Sequence, residues 1–239
     1  MENTLPTNPH NRLTVKEIKN EVLSHFYFEK GLLFTFYNML RQPGKLVSVY
    51  LDENRKKVFN PFRYLLFGVA TSTLILLAHP SFTNMIATIQ NGSMDDYQVL
   101  EQQTNLPLWE LMTRMQEIYM SYQNIIIILS IPFVSWVTWL FFGKQKFNYA
   151  ENMAINSFVF GTTYWISAIL GLLTYGTDSV IIMYMATAVT FVAATYFYKM
   201  IFKNGIFKSF FGIVLGYIPI LLIGILSQFL IFIALLLTL

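Results

Sequence analysis

The sequence predicts an all-α, polytopic membrane protein with five transmembrane helices and an N-terminal amphipathic helical collar. Hydrophobic residues make up 55% of the 239 residues and charged residues only 12%, whereas an ordinary soluble domain has roughly 25% charged residues. Several apolar runs with few charges reach the roughly 20 residues that a spanning helix needs. Composition and run length together exclude a soluble globular protein.

The chain divides into a polar N-terminal part and an apolar bundle. Residues 1–59 are expected to form a cytoplasmic tail and an interfacial collar, and residues 60–239 the transmembrane bundle. The predicted spans are about 61–79, 119–142, 150–175, 179–202 and 207–238, with an outer loop over 80–118. The last apolar segment is longer than a ~30 Å hydrocarbon core requires. It is therefore either one tilted helix kinked near Pro219 or a hairpin, which would make six spans.

The collar is predicted to contain two short amphipathic helices. The first runs over 32–41 and places Leu33, Phe36 and Leu40 on one face. The dipeptide Pro43-Gly44 is expected to break it, and a second short helix follows. Because neither helix is long enough to span, both should lie in or near the membrane interface.

Two helix starts carry capping signals. Asn60 is a favourable N-cap, and Pro61 suits the first helical turn because its missing N–H would be unpaired there anyway. Asn148 and Glu151 have the spacing of a capping box. We expect the first span to begin at Pro61 and the third to begin close to Asn148.

The basic residues indicate how the chain is threaded through the membrane. If the N-terminal part and the loops 143–149 and 203–208 are cytoplasmic, every Lys and Arg except Arg114 lies inside, as the positive-inside rule favours. We therefore expect a cytoplasmic N-terminus and a periplasmic C-terminus. The polar N-terminus has no apolar core of the kind found in cleavable signal peptides, so the first span should direct insertion itself.

Six basic residues of the collar and the first span are the candidate contacts for lipid or a membrane partner: Arg41, Lys45, Arg55, Lys56, Lys57 and Arg63. Each basic residue near an anionic membrane surface contributes about 1 kcal/mol, which salt screens within a Debye length. One interpretation is that these residues only fix the orientation of the chain. The other is that they hold the collar helices flat against lipid headgroups.

Gly212 and Gly216 are candidate helix-packing positions in the last apolar segment. Their GxxxG spacing lets another helix approach closely, because neither residue has a side chain. The approaching helix can belong to the same bundle or to a second copy of the chain. The sequence leaves both alternatives open.

The sequence points to no catalytic, cofactor-binding or metal-ligating residues. The absence of cysteine excludes a disulfide framework, a thiolate zinc site and a cysteine nucleophile. The histidines His10, His25 and His79 are far apart, and helix capping explains Glu151 without catalysis. The predicted spans hold no clearly central ionisable residue. This argues against ion-coupled transport, although it leaves a facilitator open.

Five short stretches in the collar and at the start of the first span form a recognisable pattern: Gly31-Leu-Leu-Phe-Thr-Phe, Arg41-Gln-Pro-Gly44, Tyr50-Leu51, Arg55-Lys-Lys57 and Asn60-Pro-Phe62. Together they resemble the signature of an uncharacterised bacterial membrane family, the domain of unknown function 3667, which is common in Bacteroidetes. Tyr149-Ala-Glu-Asn152 is similar to its second short signature, where a His usually stands at the place of Asn152. The resemblance implies a bacterial inner membrane. Many relatives also carry an N-terminal four-cysteine zinc ribbon, which this chain lacks, and the family offers no catalytic residues to transfer.

The leading functional hypothesis is a non-enzymatic inner-membrane protein whose basic collar engages lipid or a membrane partner. The alternative is a small transporter or channel subunit with its path between the first, third and last spans, and the third hypothesis is a lipid-modifying membrane enzyme. No cofactor is expected. The expected partners are membrane lipid and, as further candidates, a second copy of the chain or another membrane protein. A formal net charge of +3 is too small to suggest nucleic acid.

Overall fold

The structure is a computed structural model that describes residues 31–53, 55–82, 106–143, 146–177 and 180–238, with isolated positions between 84 and 104. The expected N-terminal tail lies outside these residues, as does most of the predicted outer loop. The regular structure of the described residues is helical and contains no strand. The all-α fold class predicted from the sequence is confirmed.

The helices used below are α1 over 31–41, α2 Pro43–Ser48, α3 Pro61–Ala78, α4 Leu108–Phe142, α5 Tyr149–Leu173, α6 Val180–Phe202 and α7 Ile206–Leu236. A π-helical turn, Val49–Glu53, and a 3-10 turn, Arg55–Lys57, lie between α2 and α3. Within the described residues, five helices, α3 to α7, are long and apolar enough to cross a membrane. Helix α7 is continuous, with Pro219 inside it. The alternative of a hairpin and six spans is therefore wrong.

Helix α4 begins well before the predicted start of the second span near residue 119. It has 35 residues and is therefore about 52 Å long at 1.5 Å per residue, whereas a hydrocarbon core is ~30 Å thick. Its N-terminus is capped by Glu101, whose Oε1 accepts the backbone N–H of Trp109 at 2.7 Å. Hydropathy predicts only the apolar part of this helix, whereas the helix itself starts at this cap.

The long helices alternate in direction, so α3, α5 and α7 run away from the collar and α4 and α6 run toward it. Phe142 at the end of α4 stacks on Phe202 at the end of α6, with ring centroids 4.0 Å apart. The most extensive helix contacts are those of α3 with α5 and of α4 with α7. Helices α3 and α5 come so close that a Cβ added to Gly68 would lie 2.8 Å from the carbonyl oxygen of Gly161.

Helix α1 leaves part of its predicted apolar face exposed. Thr35 and Met39 are fully buried, whereas Leu33 and Leu40 are 65% and 41% exposed. Thr35 is polar and is therefore not part of an apolar pattern. Its hydroxyl nevertheless forms hydrogen bonds that hold this side of the helix against the rest of the protein. The predicted break also shifts by one residue. Gln42 leaves the helical conformation, and the Pro43-Gly44 dipeptide begins α2 instead of separating two helices.

Both predicted capping signals are confirmed. Asn60 Oδ1 accepts the backbone N–H groups of Phe62 and Arg63 at 3.1 and 3.2 Å, and Pro61 is the first residue of α3. Asn148 and Glu151 form a reciprocal capping box at the start of α5. These side chains satisfy N–H groups that have no partner inside their own helix.

Candidate functional site

The collar is docked onto the end of α6 through α2. A Cβ added to Gly44 would lie 2.8 Å from the carbonyl oxygen of Met200, so only glycine fits at this contact. Leu46 is 3% exposed, and Tyr50 packs edge-on against Phe158 with ring centroids 5.2 Å apart. Protein packing therefore determines where the collar sits on the bundle.

A second connection joins α1 to the start of α3. The Thr35 hydroxyl donates to the carbonyl of Gly31 at 2.8 Å and accepts the backbone N–H of Phe59 at 3.0 Å. Phe59 is 7% exposed, so water has little access to this N–H. The next residue, Asn60, caps α3. The collar and the first long helix are thus joined into one unit.

All six candidate basic residues are exposed on the outer side of this unit: Arg41, Lys45, Arg55, Lys56, Lys57 and Arg63. The Arg55 guanidinium lies over the Tyr50 ring, 5.8 Å from its centroid. The Lys57 ammonium lies 5.4 Å from the centroid of the Phe34 ring. Because aromatic rings attract cations without neutralising them, these side chains are oriented and keep their charge.

An outward-facing apolar stripe lies on α1. Leu33, Tyr37 and Leu40 are 65%, 56% and 41% exposed, and their spacing places them on one side of the helix. Arg41 adjoins the stripe and donates to the Tyr37 hydroxyl at 2.8 Å. Apolar residues beside a cation are typical of a helix that lies in the membrane interface.

The collar also carries two acidic residues, Asp52 and Glu53, which are exposed. An ion pair joins Arg114 to Glu110 at the other end of the bundle. Further basic residues lie at the collar end of α6 and α7: Lys199, Lys203 and Lys208. The collar end of the described structure is therefore strongly positive.

A buried polar cluster joins α4, α5 and α6 near their collar ends. Asn156 Nδ2 donates to Ser135 Oγ at 3.1 Å and to Thr138 Oγ1 at 2.9 Å, and Asn156 Oδ1 accepts from the Tyr198 hydroxyl. Asn152 Nδ2 donates to the carbonyl of Ser135 at 2.7 Å and to Thr138 Oγ1 at 2.8 Å. All five residues are at most 1% exposed. Asn156 thus forms hydrogen bonds between helices.

The polar cluster contains amides and hydroxyls and no ionisable acid or base other than a tyrosine. Such groups hold helices in register because unpaired polar atoms are costly in an apolar environment. Asn152 Oδ1 is buried and has no hydrogen-bond partner in the described part of the chain. Asn152 and Asn156 stand four residues apart in an apolar helix, which is a signal that the sequence carried. The hydrogen bond of Tyr198 to Asn156 could not be predicted from the sequence, because it depends on how α6 is rotated about its axis.

The GxxxG glycines face a helix of the same chain. A Cβ added to Gly212 would collide with the ring of Phe142, and one added to Gly216 would lie 3.5 Å from Thr138 Cγ2. Both neighbours belong to α4. Within the described structure, these two glycines allow α7 to approach α4 closely.

His79 fastens the far end of α3 to the end of α5. Its Nδ1 accepts the backbone N–H of Ser81 at 3.2 Å, and its Nε2 lies 3.1 Å from the carbonyl oxygen of Thr174. Because a backbone N–H can only donate, Nδ1 is the acceptor in this contact, and Nε2 is the nitrogen that faces the Thr174 carbonyl oxygen. Among the described residues, no group of three or more His, Cys, Asp or Glu side chains could hold a metal ion.

A family model described as "Protein of unknown function (DUF3667)" matches residues 29–73. The chain resembles this family. No curated protein and no solved structure matches the chain. The DUF3667 match covers the described collar and most of α3, which are joined by the hydrogen bond between Phe59 and Thr35. The positions that carry the resemblance, among them Gly31, Thr35, Gly44 and Asn60, thus have structural roles in joining the collar to the bundle.

Proposed function

We propose that this multi-pass membrane protein is non-enzymatic and that its collar binds anionic lipid headgroups at the cytoplasmic face of a bacterial inner membrane. The observation that carries the proposal is the two-sided collar. Its inner face is docked on the bundle through Met39, Gly44 and Leu46. Its outer face presents the apolar stripe of α1 and the exposed cations, which suit the acyl boundary and the phosphates of a membrane surface.

The basic run Arg55–Lys57 supplies the electrostatic part of this binding. Each cation near an anionic surface contributes about 1 kcal/mol, so three contribute roughly 3 kcal/mol before screening, and less at high salt. The collar is already ordered by packing against α6. Lipid binding therefore does not have to order the collar backbone, a cost that weakens association when a segment is flexible.

The charge difference between the two ends of the bundle supports the proposed orientation. Basic residues concentrate at the collar end, whereas Glu110 and Glu117 lie at the opposite end of α4. The positive-inside rule then favours a cytoplasmic collar. Five helices are long and apolar enough to cross a membrane, and because their directions alternate, the proposed orientation puts the C-terminal end of α7, at Leu236, on the other side.

A transport path between α3, α5 and α7 has less support. Helices α3 and α5 touch along the described residues, with Gly68 packed on the backbone of Gly161. Helix α7 packs mainly against α4. The Gly68–Gly161 contact closes the space between α3 and α5 at that level of the bundle.

The proposal is tested with the purified full chain in nanodiscs that contain a neutral phospholipid and phosphatidylglycerol. The measurement is the fraction of spin-labelled phosphatidylglycerol immobilised by the protein, compared with spin-labelled phosphatidylcholine. The triple variant Arg55→Gln, Lys56→Gln, Lys57→Gln should lose most of the preference for the anionic lipid. High salt should reduce the wild-type preference in the same direction.

The matched control keeps the charge and changes only the side chains: Arg55→Lys, Lys56→Arg and Lys57→Arg. It should retain the wild-type preference because the electrostatic attraction depends on charge. An unchanged preference in the Gln variant would exclude the collar as the anionic-lipid site. In that case, a protein partner would be the remaining occupant of its outer face.

A further inference from the structure

A small pocket lies in the half of the bundle remote from the collar, between α3, α5 and α6. Its volume is about 220 Å³. Its lining mixes hydroxyl-bearing and apolar side chains: Ser72, Ser167, Thr174 and Thr190 among the first, Ile75 and Phe82 among the second. The pocket is separate from the collar and from the buried polar cluster.

Two hydroxyls of the pocket lining, those of Ser72 and Ser167, have no hydrogen-bond partner among the described residues. Ser and Thr side chains inside helices commonly donate to a carbonyl three or four positions earlier, and Thr163 and Thr174 on α5 do so at 2.8 Å. Ser72 on α3 and Ser167 on α5 make no such bond. Ser72 is only 7% exposed. A molecule in the pocket could hydrogen-bond to this hydroxyl, because no carbonyl of its own helix already engages it.

The lining residues define the chemistry of that molecule. They include no Asp, Glu, Lys or Arg, and both ring nitrogens of His79 are already engaged. A charged ligand would therefore be desolvated without a counter-charge. A ligand with both hydroxyl groups and a hydrocarbon skeleton would match this mixed lining.

The volume limits the size of the ligand. A cavity of roughly 10–15 Å³ holds one water molecule, and pockets for drug-sized ligands start at roughly 300 Å³. A volume of about 220 Å³ lies between these limits. We propose that this pocket binds a small uncharged polyhydroxy molecule of about the size of glycerol, with the hydroxyls of Ser72 and Ser167 as hydrogen-bonding partners.

The proposal is tested by saturation-transfer difference NMR with glycerol as the probe, on the full chain in deuterated detergent micelles. Wild-type protein should transfer saturation to glycerol. The double variant Ser72→Ala, Ser167→Ala should bind glycerol roughly ten-fold more weakly, because two hydrogen bonds are lost. The matched control is Ser157→Ala, since the Ser157 hydroxyl is buried but donates to the carbonyl of Met153 at 2.8 Å.

A second variant protects the test against a folding defect. Ala186→Leu adds volume to the pocket lining and leaves both serine hydroxyls in place, so it should abolish the glycerol signal while the protein elutes as wild type on size exclusion. The proposal is overturned if wild-type protein gives no glycerol signal, or if the signal is the same in wild type and in the double serine variant. A lower melting temperature of the double variant without any glycerol signal would mean that water alone fills the pocket, which also overturns it.

Discussion

The backbone N–H of Phe59 donates to Thr35 Oγ1 at 3.0 Å, across a separation of 24 positions in the sequence. This bond lies in the DUF3667-like segment and fixes the chain immediately before α3. Because α2 is separately packed on α6, the collar is held at two places. The orientation of its exposed cations follows from both.

Replacing Thr35 with Val should destabilise the protein. Val has nearly the shape of Thr but cannot accept the Phe59 N–H, and leaving such a buried group unpaired costs about 1–3 kcal/mol. We expect a lower melting temperature in detergent. The control is Ser48→Ala, since the Ser48 hydroxyl donates to the carbonyl of Gly44 at an exposed position and its loss should change little. A Thr35→Val protein that melts like wild type would show that the Phe59 N–H has another partner.

Replacing Gly44 with Ala should undock the collar. The new methyl group would meet the carbonyl oxygen of Met200 at 2.8 Å, and because that atom is backbone it cannot move aside cheaply. Limited proteolysis in liposomes should then cut the collar several-fold faster while the bundle stays intact. Gly205→Ala is the matched control, because a Cβ there meets nothing within 4 Å. Equal cleavage of the two variants would argue against docking through α2.

Replacing Tyr198 with Phe should lower stability through the buried polar cluster. The change removes the donor to Asn156 Oδ1, and hydrogen bonds between membrane helices contribute about 0.6 kcal/mol on average and up to about 1.7 kcal/mol. The neighbouring Tyr196→Phe, at a position that is 38% exposed, should have no comparable effect. Unfolding in detergent is the measurement. Combining Tyr198→Phe with Asn156→Leu should destabilise by less than the sum of the two single changes, since both remove the same bond.

The C-terminus should lie on the opposite side of the membrane from the loop that precedes α5. A reporter fused after Leu239 should be active outside the cytoplasm, and one inserted at Gln145 should be active inside it. The physical reason is the concentration of basic residues at the collar end. A cytoplasmic reporter at Leu239 would invalidate the proposed threading of the chain.

Features fixed by neighbouring residues could be predicted from the sequence. Asn60 and Asn148 cap their helices because the groups that they satisfy lie within three positions. The long apolar runs likewise indicate five spans, because length and hydropathy are local quantities. These inferences needed no knowledge of tertiary structure.

Features that depend on how helices meet could not be predicted in this way. The buried side of α1 is chosen by a hydrogen bond from Phe59 to Thr35, a polar residue that an apolar pattern does not point to. The contact of Tyr198 with Asn156 depends on the rotation of α6 relative to α5. The face of the collar that is free to contact lipid can be identified only once the contacts between the collar and the bundle are known.

The contact between Gly44 and Met200 has a consequence for biosynthesis. The collar is translated before its docking site on α6, because Met200 lies 156 positions after Gly44. At 5–20 residues per second, the interval is on the order of ten seconds. During that time the inner face of the collar has no protein partner, and we expect a chaperone or the membrane surface to cover it until α6 has been inserted.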